Sequence, residues 1–142
     1  MAATTHTSHV IGKLMPMLYV RDVLRSVEFY RDRLGFKFTG WWNDDTNDYS
    51  QELRGKEKPQ FAELRVGDLV LHLHAAEGEL PKKEGASILH LAVDDVDAYH
   101  AEVQARGIKA DPPEDMPWGM RHFYVSDPDG QAWSFSQPVR GK

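Results

Sequence analysis

Residues 22–36 read DVLRSVEFYRDRLGF, and residues 95–108 read DVDAYHAEVQARGI. In the first stretch Asp22 can cap a helix, because its carboxylate is able to accept an otherwise unpaired amide of the first turn. Val23, Val27, Tyr30 and Leu34 then recur at helical spacing, and Gly35 supplies the stop. In the second, Asp94 or Asp95 opens a helix with Val96, Tyr99 and Val103 on one face, and Gly107 ends it. Gly35 and Gly107 lie 72 positions apart, Val20 and Val93 lie 73 apart, and half the chain is 71 residues.

The surroundings of the two stretches follow the same order. A strand over Leu14–Val20 precedes the first helix, a strand over Phe36–Trp42 follows it, and Asn43–Lys58 is a polar, acidic loop. Phe61–Val66 and Leu69–His74 are strands joined at Gly67-Asp68, a hairpin signal. The second half repeats this with a strand over Ile88–Val93, the helix, and a short strand beginning at Ile108. A Pro-rich loop, Asp111–Trp118, then leads to strands Arg121–Ser126 and Gln131–Gln137 around the turn Asp127-Pro128-Asp129-Gly130. The expectation is an α+β fold of two tandem βαβββ modules forming a curved mixed sheet around a cleft. Module 1 covers about 13–75 and module 2 about 87–138, within a single domain, 13–138, that follows a polar tail at 1–12.

Composition narrows the function. The chain has 142 residues and no cysteine, which excludes a disulfide scaffold, cysteine-held zinc or iron–sulfur, and a cysteine nucleophile. Its formal charge is −5 with no basic cluster, so nucleic acid and anionic membrane are poor partners. No apolar run reaches the roughly 18–20 residues of a membrane span, and residues 1–13 show no secretory signal; a cytoplasmic protein is expected. No Gly-rich phosphate loop is present. The acidic run Asp44, Asp45, Asp48 is either a solvated loop or an attractor for a cationic ligand.

Alternation along the strands assigns faces. Leu69, Leu71 and Leu73 share the helix-covered face, which sends Val70, His72 and His74 to the other. The same rule places Leu14, Leu18 and Val20, Phe36 and Phe38, Leu89, Leu91 and Val93, Phe123 and Val125, and Trp133 and Phe135 in the core. The opposite face then carries Met15, Met17, Tyr19, Thr39, Trp41, His72, His74, His90, Tyr124, Ser134 and Ser136, with Phe61, Glu63 and Arg65 from the third strand. A solvated face would be rich in Lys, Glu and Thr. Aromatic rings, Met and His with a few hydroxyls resemble instead the lining of a ligand cleft. Met15 and Met17 suit a dimer partner equally well.

These residues also resemble a known family. MLYVRDVLRSVEFYRDRLGF (17–36) is similar to the first module of the vicinal oxygen chelate superfamily, which includes glyoxalases, extradiol dioxygenases and fosfomycin- and bleomycin-resistance proteins. HFYVSDPDGQAWSFSQ (122–137) is similar to that superfamily's terminal hairpin. Within it, Met15–Leu18, Arg21–Val23, Val27–Phe36 and Pro117-Trp118-Gly119-Met120-Arg121 look most like bleomycin-resistance proteins, which use such a tryptophan near the ligand. The resemblance implies a homodimer, with Pro16 matching a proline that marks an arm exchanged between subunits.

Metal-dependent members of that superfamily place His or Glu at four positions, which here hold Met15, His72, Ile88 and Ser134. Only His72 among these is a good divalent-metal ligand, and a catalytic site typically needs about three. A His72–His90–Glu63 set is the one conceivable metal site. The resemblance therefore implies a binder without cofactor more than an enzyme: a protein that sequesters a bulky aromatic or glycopeptide antibiotic, or another aromatic natural product, and confers resistance. Its ligand-binding residues are expected to be Tyr19, Thr39, Trp41, His72, His74, His90, Trp118, Arg121, Tyr124 and Ser134. Arg121 either contacts the ligand or closes the loop. A metal-dependent glyoxalase or dioxygenase and an orphan metabolite binder are the alternatives.

Overall fold

Each helix begins where an aspartate can cap it. The computed structural model describes residues 5–44, 46–53, 58–83 and 85–139; Asp45 of the acidic run and the first four residues of the tail lie outside them. Strand β1 (Met17–Val20) leads to helix α1 (Val23–Glu28), where the Asp22 carboxylate accepts the Arg25 amide at 3.2 Å. Helix α2 (Val96–Ala105) is capped in the same way by Asp95, which accepts the Ala98 amide at 3.1 Å. A π-helical turn, Phe29–Arg33, continues α1 and carries the buried Tyr30.

The strands form two mixed sheets, one per module. In the first, β2 (Lys37–Asn43), β3 (Asp48–Ser50), β4 (Phe61–Val66) and β5 (Leu69–Ala75) join β1 in the order β1-β5-β4-β2-β3. In the second, β6 (Ile88–Ala92), β7 (Glu114–Asp115), β8 (Met120–Ser126) and β9 (Ala132–Pro138) run β6-β9-β8-β7. β1 is parallel to β5 and β6 to β9, while the hairpins are antiparallel. This is the expected α+β architecture.

Two elements differ from expectation. The acidic loop contains β3, an edge strand held on β2 by the pairs Trp41–Ser50, Trp42–Tyr49 and Asn43–Asp48. The strand expected at Ile108 is absent. The Ile108 amide is instead spent on closing α2, on the Val103 carbonyl at 3.0 Å, and Pro112 and Pro113 offer no amide for a ladder. The module's second strand forms later, as β7.

The two modules pack helix-covered face to helix-covered face. Tyr30 lies against Trp133 with ring centroids 5.7 Å apart, and Phe36 against Trp133 at 5.9 Å. The Tyr30 hydroxyl donates to Asp127 at 2.7 Å and accepts from Trp133 Nε1 at 2.9 Å. Burial, followed by the Asp127 charge, pushes the Tyr30 hydroxyl well above its ordinary pKa, so it stays a neutral donor. Tyr99 completes the seam from the other side, donating to the Leu34 carbonyl at 2.6 Å. One core therefore serves both modules, and each sheet is left with one face turned away from it.

Candidate functional site

On the first sheet, register places Met17, His72 and Glu63 in one row and Tyr19, His74 and Phe61 in the next. The sheet faces away from the core here, as alternation predicts. Glu63 is buried yet polar, and it is matched: His72 Nε2 lies 2.9 Å from one carboxylate oxygen and Arg65 Nε donates to the other at 3.2 Å. Phe61 packs on both histidines, with centroid distances of 5.1 Å to His72 and 5.8 Å to His74, and Tyr19 meets His74 edge-on at 5.4 Å. His74 Nδ1 donates to the Ala75 carbonyl at 2.7 Å.

The electrostatics of Glu63 make a prediction. Burial alone would raise its pKa, but the His72 hydrogen bond and Arg65 together outweigh that and hold it below the ordinary value of 4.5. A carboxylate depressed on folding contributes stability above its unfolded pKa and loses it as pH falls through the folded one. Glu63→Gln should therefore be less stable than the parent at neutral pH, with the gap closing as pH drops below 4.5. Urea unfolding at pH 7 and in the acid range measures it; a gap that persists unchanged into acid would contradict this account.

Trp41 departs from the expected placement. It is 5% exposed and packs on Phe38 at 4.7 Å, inside the core. The cause is a β-bulge: Phe38 pairs with Leu64, but Gly40 pairs with Glu63 and Trp41 with Ala62. Thr39 is the extra residue, half-buried, and beyond it every side chain of β2 changes face. Trp42 takes the open face in Trp41's stead, meeting Tyr49 of β3 at 5.1 Å and donating from Nε1 to Asp44 at 2.8 Å.

On the second sheet, His90, Ser134 and Tyr124 share a row, and Ala92, Ser136 and His122 share the next. His122 is a residue that the sequence reading missed, although the alternation that buries Phe123 also sends His122 to the open face with Tyr124. Trp118 sits on a turn pinned by two main-chain hydrogen bonds, Gly119 to Met116 at 3.0 Å and Met116 to Met120 at 2.7 Å. Its indole is 66% exposed and edge-on to His122 at 6.4 Å.

Arg121 takes the second of its two expected roles. It lies with Phe123 on the helix side of β8 and forms two bonds to Asp97 of α2, at 2.8 and 3.0 Å, and one to Asp115 of β7 at 3.1 Å. It closes the loop that carries Trp118 and does not line the open face.

Within one chain the expected residues thus fall into two groups. Tyr19, His72 and His74 are on the first sheet, and His90, Tyr124, Ser134 and Trp118 are with the second. Among the described residues no hydrogen bond or ring contact joins the groups. The donor set does not fit a catalytic metal. His72 and Glu63 are paired with each other, His90 is on the other sheet, and Met15, Ile88 and Ser134 hold the remaining family positions. Among the described residues no three His, Asp or Glu side chains are placed to share an ion. Nor is any helix long and apolar enough to cross a membrane.

Comparison with known proteins agrees with this fold. Residues 8–135 match the family described as the Glyoxalase/Bleomycin resistance protein/Dioxygenase superfamily. A crystal structure of a glyoxalase/bleomycin resistance protein/dioxygenase from Nocardioides superposes with a TM-score of 0.67 at 23% identity, covering 96% of this chain and 89% of that one. The bleomycin-binding protein from bleomycin-producing Streptomyces verticillus, solved with copper(II)-bleomycin, superposes with a TM-score of 0.60 at 27% identity, covering 86% of this chain and 92% of that one. The uncharacterized protein YraH of Bacillus subtilis is 28% identical over 116 residues, which are 79% of this chain and 87% of YraH.

Proposed function

Because the chain belongs to the Glyoxalase/Bleomycin resistance protein/Dioxygenase superfamily, we propose that it is a non-catalytic binder that sequesters a bulky aromatic or glycopeptide antibiotic of the bleomycin kind. The observation that carries this reading is Trp118. A tryptophan held two-thirds exposed on a pinned turn, edge-on to His122, which in turn meets Tyr124, has no packing role that explains it. It is a stacking wall for a planar ring. Sequestration requires affinity and stoichiometric protein but no transition-state stabilisation, so a donor set unsuited to a metal is no handicap.

The reading includes a homodimer in which the two open faces come together across subunits. Its support is the apolar surface left on those faces, with Met17, Tyr19, Ile88 and Tyr124 each 45–48% exposed, and the outer edges of β1 and β6, which no strand covers among the described residues. A cleft built in this way would take His72, His74 and Tyr19 from one protomer, and His90, Tyr124 and Trp118 from its partner, with Ser134, fully buried, bonded to His122 beneath that surface. The protein would then work as a soluble one in the cytoplasm.

Calorimetric titration with bleomycin tests the reading. Binding is expected, and Trp118→Ala should weaken it by at least about 1 kcal/mol, roughly fivefold. An affinity unmoved by this substitution would remove Trp118 from the site. Silence with bleomycin and with other planar aromatic antibiotics, together with no protection of host cells, would overturn the antibiotic reading in favour of an ordinary metabolite.

A further inference from the structure

His122 faces the open side of the second sheet, yet it is only 3% exposed. Its Nδ1 lies 3.0 Å from the hydroxyl of Ser134, itself fully buried. The other ring nitrogen, Nε2, has no protein partner among the described residues, and none of their sealed side-chain polar atoms lacks one. Nε2 therefore reaches solvent. Two aromatic rings stand edge-on to the imidazole, Tyr124 at 4.5 Å and Trp118 at 6.4 Å, and both are well exposed. The serine accounts for one nitrogen of this buried histidine and leaves the other without a protein partner among the described residues, on a ring that two exposed aromatic rings meet edge-on.

We propose that His122, oriented by Ser134, is the specificity-determining contact of this site, and that its ligand is a planar ring with a nitrogen or amide on its edge, packed on Trp118 and Tyr124. The inference rests on the reading of the open face as a binding site. A serine hydroxyl both donates and accepts, so Ser134 supports either imidazole tautomer. With Nδ1 protonated and donating to Ser134, Nε2 accepts from a ligand N–H. With the hydroxyl donating to Nδ1, Nε2–H donates to a ring nitrogen or carbonyl. A site that holds a hydrogen-bonding group in this way rejects the isostere lacking its partner, because the desolvated nitrogen is left unpaired.

The test uses two probes of one shape on the full chain, 2-phenylbenzimidazole and its hydrocarbon counterpart 2-phenylindene, by calorimetry. The parent is expected to bind the benzimidazole about tenfold or more tightly. His122→Phe should abolish that preference and leave the indene affinity in place, and His122→Gln, whose amide reaches the Nε2 position, should restore part of it. Should His122→Phe fold poorly with Ser134 left unpaired, the double variant His122→Phe/Ser134→Ala removes both polar groups and should likewise show no preference. A preference that survives these variants, or a parent that shows none, overturns the inference. The bleomycin titration keeps the two proposals apart. Bleomycin binding lost in Trp118→Ala with a preference indifferent to His122 sinks only this inference, whereas a His122-dependent preference with no response to bleomycin sinks only the antibiotic reading.

Discussion

Asp127→Ala is expected to lower the unfolding free energy by about 3–5 kcal/mol, a large fraction of what a domain of this size has. Asp127 is buried in the turn between β8 and β9, and its carboxylate accepts three hydrogen bonds. One carboxylate oxygen accepts the amides of Asp129 and Gln131, at 2.9 and 2.8 Å, which shapes the turn. The other accepts the Tyr30 hydroxyl from the first module. Removing the carboxylate leaves a buried hydroxyl and two amides short of an acceptor, and each unsatisfied buried group costs roughly 1–3 kcal/mol. Tyr30→Phe isolates the inter-module share: it keeps the ring between Phe36 and Trp133 but strips the hydroxyl, for an expected loss of about 1–3 kcal/mol. Urea unfolding with unchanged slope would measure both. A loss below about 1 kcal/mol for Asp127→Ala would show that the turn and the seam do not depend on this carboxylate.

Gly40→Val should cost about 1–3 kcal/mol or more and detach β3. Gly40 follows the bulge in β2, and a Cβ at this position would stand 2.8 Å from the Ser50 carbonyl oxygen and 2.9 Å from its carbonyl carbon and nitrogen. These are main-chain atoms of β3, so they can yield only by separating the strands. Because β3 carries Tyr49, which packs on Trp42 and more distantly on Phe61, the aromatic part of the first open face should loosen with it. Amide exchange at Tyr49 and Ser50 should speed up well before the core amides of β4 respond, and Gly40→Ala should show the same pattern more weakly. Exchange at β3 equal to the parent's would contradict the close approach.

How far the sequence could be read depended on which rule each element obeys. Helix starts and the two hairpins rest on local chemistry, an aspartate carboxylate near free amides or a Gly-Asp turn, and they stand where Asp22, Asp95, Gly67 and the 127–130 turn put them. The faces of β4, β5, β8 and β9 follow strict alternation and hold as well, which is why Glu63, His72, His74, Tyr124 and Ser134 were all legible. Trp41 was not, because alternation carries information only as far as the register continues. A single inserted residue, Thr39, inverts everything after it, and the one local sign of the bulge is Gly40, a lone glycine inside a strand pattern. For Arg121 the sequence left two roles open, ligand contact and loop closure, and could not choose between them. The loop it closes is held by Asp97 and Asp115, 24 and 6 residues away, and no local pattern records such a pairing.

The sequence by itself determined the duplicated βαβββ plan, the capped helices, the aromatic core and the chemical character of the open faces. Periodicity and short-range capping encode these within a few residues of chain. The tertiary structure alone decided that Trp42 rather than Trp41 joins the open face, that Arg121 braces the Trp118 turn, and that His122 lies buried beside Ser134 with one nitrogen outward. These depend on register between strands and on charges brought together from distant segments. They are properties of how the strands pair, and they exist only once the chain has folded.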